Sequence, residues 1–244
     1  MKKIVVAPDS FKGSLTSAEV ADAVERGIKD VFPQCNVVKA GVADGGEGTV
    51  EAIVKAVGGD MYAASVTDPL GRPVKAAYGI VRSGGVKTAV MEMSAASGLP
   101  LLLPDELNPW ITSTYGTGEM ISDALNRGCR KFLVGIGGSA TNDAGTGMLS
   151  ALGVRFLDSR GQRLKGCGRD LESIARIDMS SLMPAARESE FIVACDVNTP
   201  FCGPDGAARV FAPQKGADPQ TAEALDRGMR SFARVIAGQF QTDI

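Results

Sequence analysis

Ten polar side chains fall in four short stretches of the sequence: Asp9, Ser10 and Lys12; Asp44 and Glu47; Ser139, Asn142 and Asp143; Asp196 and Asn198. Carboxylates in this number can hold a divalent cation and move a proton. The hydroxyls and amides suit a polar acceptor, and the lysine offsets negative charge. Together they match phosphoryl transfer, in which positioning and electrostatics supply most of the catalysis. The chain has no histidine, which removes His-activated nucleophiles and the usual general base. Proton transfer then falls to Asp, Glu, Lys, Tyr or Cys. Plainer roles exist for each: Asp44 can cap a helix, Lys12 can be a solvated loop lysine, and Asp143 can face a helix dipole.

These stretches need elements to position them, and all four follow short apolar runs that read as strands. Residues 3–7 and 37–43 each give a β-branched run followed by a helical pattern. The first helix opens with Thr16-x-x-Glu19, a capping-box signature; the second follows Asp44-Gly-Gly-Glu-Gly-Thr49. The pattern then changes to three consecutive strands, 62–66, 74–81 and 86–93, joined by glycine-containing turns. A helix over 115–126 and a strand over 131–136 lead into the Gly/Ser/Thr/Asn stretch 137–147, which runs into a helix. Further strands are expected at 154–157, 191–195 and 207–211, and an amphipathic helix at 219–240. The fold class is α/β in two domains: a Rossmann-like parallel unit over 1–66, and a mixed α/β domain over 67–244 carrying the glycine-rich loop. In open α/β sheets ligands bind at the carboxyl edge, and three of the four polar stretches also lead into helix N-termini, which favour anions.

Composition narrows the functional classes. A length of 244 residues, 44% hydrophobic and 22% charged, suits a soluble globular protein. A net charge of −2 and 5% aromatic content leave no footprint for nucleic acid. Cys35, Cys129, Cys167, Cys195 and Cys202 are scattered without a C-x-x-C pair, as suits reduced thiols. Pro8 ends the first apolar run too early for a signal peptide, and no run approaches the ~20 residues of a membrane span. A cytoplasmic protein with a small-molecule substrate, and with no nucleic-acid or membrane partner, is the expectation. No P-loop or protein-kinase signature occurs. Gly135-x-Gly137-x-x-Ala140, with Asp158 about 20 residues on, is a weak dinucleotide fingerprint. It keeps open an NAD-linked hydroxy-acid oxidoreductase; a non-catalytic fragment is a separate alternative.

Six strings, in order, carry a resemblance: Ala7-Pro-Asp-Ser-Phe-Lys-Gly-Ser14, Ala43-Asp-Gly-Gly-Glu-Gly-Thr49, Gly116-Thr-Gly-Glu119, Gly135-Ile-Gly-Gly-Ser-Ala-Thr-Asn-Asp-Ala-Gly145, Ala194-Cys-Asp-Val-Asn198 and Phe211-x-Pro-Gln-Lys-Gly216. Across essentially its whole length the chain resembles the bacterial glycerate kinases that make 2-phosphoglycerate. The resemblance implies ATP and Mg²⁺, D-glycerate as acceptor, a place in glyoxylate or sugar-acid breakdown, and two α/β domains with the site between them. It also implies longer chains, so residues 1–66 are expected to be completed by sequence beyond 244. On this reading Asp44 is the base, with Asp196 its rival, and Lys12 neutralises phosphate or carboxylate charge. Asp9, Ser10, Glu47 and Asn198 contact the acceptor. Gly137, Gly138, Ser139 and Asn142 cradle the nucleotide phosphates, and Asp143 or Asp196 holds the metal.

Overall fold

The computed structural model describes residues 3–8, 11, 14–40, 48–195 and 197–242. β1 (Lys3–Val6) and β2 (Asn36–Lys39) pair in parallel and are joined by α1 (Ser17–Val31). The capping box forms as its sequence requires: Thr16 Oγ1 accepts from the Glu19 amide at 3.3 Å, and Glu19 Oε2 accepts from the Thr16 amide at 2.8 Å. Such a cap contributes about 1 kcal/mol. Of the apolar residues on α1 only Val20 and Ala21 are buried, whereas Val31 is 69% exposed and Val5 of β1 60%.

α2 (Thr49–Val57) leads into an antiparallel run of β3 (Gly59–Thr67), β4 (Pro73–Ser83) and β5 (Val86–Glu92). β3 runs through the boundary expected at residue 66, because its first eight residues already pair with β4. α3 (Ser94–Ser97) and α4 (Tyr115–Asn126) precede β6 (Lys131–Gly135), which adds to β5 in parallel. Next come α5 (Thr146–Ala151), the antiparallel pair β7 (Arg155–Leu157) and β8 (Arg176–Asp178), and α6 (Pro184–Arg187). β9 (Glu190–Ala194) pairs in parallel with β6 and completes the five-stranded order β3-β4-β5-β6-β9. α7 (Ala207–Phe211) and α8 (Pro219–Phe240) end the described chain.

Alternation along the strands separates two faces. Ala89 and Met91 of β5, with Phe132 and Val134 of β6, face Met120, Ile121, Ala124 and Leu125 of α4. Val90 and Leu133, between them in sequence, face Val50 and Val54 of α2 on the other side. A second core lies around Phe156, Leu171, Ile177, Leu225, Met229 and Phe232, packing the β7–β8 hairpin against α8.

The structure corrects one strand. Residues 207–211 form helix α7, with the Val210 amide donating to the Gly206 carbonyl. Ala208 packs into the α8 core, a contact that outweighs the β-propensity of Val210 and Phe211. The α/β class holds, with parallel pairing among the described residues at β1–β2 and at β5–β6–β9.

Candidate active site

β5, β6 and β9 end together, with Glu92 opposite Gly135 and Gly135 opposite Ala194. The glycine-rich loop leaves β6 at this carboxyl edge, and the stretch containing Asn198 leaves β9 beside it. Glu92, buried at the end of β5, accepts the Val50 amide at 3.0 Å. That bond draws the first turn of α2, and with it the end of the Asp44–Thr49 stretch, to the same edge. β1 and β2 also end at one level, where the Ala40 amide donates to the Val6 carbonyl at 2.9 Å. Asp9, Ser10, Lys12, Asp44, Glu47 and Asp196 lie outside the described residues. The described part of the site is therefore the frame from which those segments leave.

The glycine-rich loop is wired in from three sides. Gly138, in the left-handed region at φ +69°, presents its carbonyl to the Leu99 amide, and the Ala140 amide donates to the Ser97 carbonyl. Thr112 Oγ1 donates to the Ala140 carbonyl at 2.8 Å. Among the described residues the amides of Gly137, Gly138 and Ser139 have no protein acceptor, and the two glycines are exposed. Successive open amides of this kind suit the oxygens of an anion.

Asp143 is 1% exposed and organises the entry into α5. Its Oδ2 accepts from the Thr114 amide (2.8 Å), Thr114 Oγ1 (2.7 Å) and the Gly147 amide (3.2 Å), and its Oδ1 from the Gly145 amide (3.1 Å). Burial pushes this carboxyl up, against the pull of those donors. Lys215, 6% exposed, donates from Nζ to Ser139 Oγ and to the Thr141 carbonyl, each at 2.6 Å. Burial pushes its ammonium down to about 8, opposed by the charge of Asp143. Asn142 turns away from the open side of the loop, with Nδ2 donating to Met229 Sδ of α8 at 3.3 Å. Asn198 is exposed after β9. The segment beyond it is anchored by Asp226, whose Oδ1 accepts from the Gly203 amide at 2.7 Å.

Sequence reasoning singled out neither Glu92 nor Lys215. Glu92 had one legible signal, a carboxylate at the carboxyl end of an apolar strand. Lys215 had none beyond its string, because burial of a lysine is a tertiary fact. The Gly116-Thr-Gly-Glu119 string turns out to serve packing. A Cβ on Gly116 would lie 1.8 Å from the Thr67 carbonyl oxygen, and one on Gly118 2.2 Å from that of Met148. Glu119 Oε2 accepts from the Thr67 amide and hydroxyl at 2.7 and 2.8 Å.

The dinucleotide alternative fails on geometry. β7 pairs with β8 and not with β6, so the strand that leads to Asp158 lies outside the sheet that carries the fingerprint. Asp158 instead closes a turn, its Oδ1 accepting from the amides of Arg160 and Gln162.

Comparison with known proteins bears on the same residues. The model of the glycerate kinase family matches residues 4–244. A "Glycerate kinase" of Haemophilus influenzae is 50% identical over 233 residues, covering 96% of this chain and 61% of that protein. A "Glycerate 2-kinase" of Escherichia coli is 46% identical over 242 residues, covering 99% and 63%. The crystal structure of a chain designated glycerate kinase 2 from Salmonella typhimurium LT2 superimposes with a TM-score of 0.86 at 46% identity, over 100% of this chain and 64% of that one. The chain thus spans about three fifths of the length of the curated relatives it matches.

Proposed function

This chain belongs to the glycerate kinase family, and on that premise we propose that it transfers the γ-phosphoryl group of ATP to D-glycerate, giving 2-phosphoglycerate. The observation that carries this reading is the convergence on one sheet edge. Glu92, Gly135 and Ala194 end in register, the three open amides of the glycine-rich loop come directly after, and Val50 is tied to Glu92. The open amides supply donors for phosphate oxygens.

In the proposed reaction the acceptor hydroxyl gives its proton to Asp44 as its oxygen bonds to the γ-phosphorus. The bond from that phosphorus to the ADP oxygen breaks in the same transfer. Asp196 is the rival base, and Lys12 offsets charge on the transferring group or the acceptor carboxylate. Asp9, Ser10, Glu47 and Asn198 hold the acceptor. Asp143 does not fit a metal ion, since four donors already occupy its buried carboxylate. Asn142 does not fit phosphate contact, since its amide faces Met229. The proposal therefore keeps Asp196 for Mg²⁺, which when bound would neutralise phosphate oxygens. Two domains with the site between them, and a cytoplasmic setting, complete the reading.

A coupled assay tests it. ADP formation that depends on D-glycerate, with a product that enolase dehydrates without a mutase, is the expected result. Absence of glycerate-dependent ADP from the protein would overturn the reading.

A further inference from the structure

We propose that Lys215 is a positioning residue for the glycine-rich loop, aiming the Ser139 hydroxyl so that its O–H donates to an anionic oxygen of the bound substrate. Ser139 Oγ accepts a hydrogen bond from Lys215 Nζ at 2.6 Å, so its own hydrogen points elsewhere. Among the described residues no acceptor meets that hydrogen. Ser139 is partly exposed, between the buried ammonium on one side and the open glycines on the other. The second bond of Lys215, to the Thr141 carbonyl, fixes the backbone on the far side of Ala140.

The ammonium is itself held in place. It ends the turn Pro213–Lys215, and Gly216, at φ +93°, packs so tightly that a Cβ there would lie 2.2 Å from the Leu107 carbonyl oxygen. Lys215 has no carboxylate within 4.0 Å among the described residues, so it is a buried cation without an ion pair. Such groups are costly and concentrate at functional sites. Hydrogen bonds in series strengthen one another, so an ammonium donating to Oγ makes the Ser139 O–H a stronger donor. The three open amides beside it point to a phosphate oxygen as the acceptor. A hydroxy-acid carboxylate offers the same chemistry.

The identity of the anion rests on the phosphoryl-transfer reading; the Lys215–Ser139 arrangement does not. The test uses the full chain with Ser139→Ala, Ser139→Thr, Lys215→Met and the Ser139→Ala/Lys215→Met pair. Measured are calorimetric dissociation constants for ATP and for D-glycerate, the KM for each, kcat, and thermal melts. Loss of a charge-assisted hydrogen bond predicts ATP affinity falling about tenfold or more in Ser139→Ala and in Lys215→Met. The double variant should be no worse than the weaker single, and Ser139→Thr should be restored to near the starting value. If D-glycerate affinity falls instead, the anion is the carboxylate. If Lys215→Met does not fold, Ser139→Ala against Ser139→Thr decides, because both leave the Lys215–Thr141 bond intact. The inference is overturned if Ser139→Ala binds both ligands within twofold of the starting chain, or if the two losses simply add. In that case glycerate-dependent turnover would leave the kinase reading standing. Lys215-dependent ATP binding without glycerate turnover would sink only the kinase reading. A starting chain that binds neither ligand overturns both.

Discussion

Asp143 is a carboxylate whose charge serves geometry. Asp143→Asn would turn an –NH₂ toward amides that now donate to oxygen, at a cost of about 2 kcal/mol. The melting temperature should fall by about 4–8 °C, read by a thermal scan. Lys215 carries a pH signature. Its folded value, down at about 8 from 10.5, means that between those pH values the unfolded chain holds more protons than the folded one. Stability from this group therefore rises with pH across that window and is flat outside it. Comparing urea midpoints across the window, parent against Lys215→Met, isolates it: the difference, parent minus variant, should rise with pH, since the buried thiols and Tyr78 titrate alike in both chains. Asp44, on the proposed mechanism, predicts a fall in kcat of roughly 10²-fold in Asp44→Asn with an unchanged melt. Full activity there would move the base elsewhere.

Helix α4 sets the tolerance of its neighbourhood, because glycines let it touch β3 and α5 backbone to backbone. Gly116→Ala forces a methyl to within 1.8 Å of the Thr67 carbonyl, and no side-chain rotation relieves a clash with backbone. A loss of about 3 kcal/mol or more is expected, whereas Gly27→Ala in α1, where nothing lies within 4 Å, should gain about 0.5–1 kcal/mol. Chemical denaturation of the two variants gives the contrast. Two helices were legible to the residue, 115–126 and 219–240, the first from its stop at Gly128 and the second from its amphipathic 3.6-residue periodicity. Five residues at 207–211 were not, because so short a segment takes its state from the surface it packs on. The departure of β7 from the main sheet was equally hidden, since strand pairing is non-local. At the site, the glycine-rich loop was readable from its composition. The inward turn of Asn142 and the burial of Lys215 depend on α8 and on the 213–216 turn, which lie far away in sequence.

At the level of the whole molecule, packing is uneven. The five-stranded sheet is covered on both faces over β5 and β6, whereas β1 and β2 form a two-stranded sheet on which Val5 is largely exposed, as is Val31 at the end of α1. A two-stranded unit with bare apolar faces opens easily. Amide exchange in β1 and β2 should therefore run faster than in β6, as read by mass spectrometry; equal protection would mean that those faces are covered in solution. The double covering of β6 also bears on how this chain can vary in length. Phe132 and Val134 point to α4, and Leu133 to α2, so deleting one residue from β6 would exchange the two sets and pull the glycine-rich loop back by one strand step of about 3.3 Å. Insertions and deletions near the site are thereby confined to the connections, and the spacing from Lys131 to Gly137 is a measure that neither engineering nor drift can alter by a single residue.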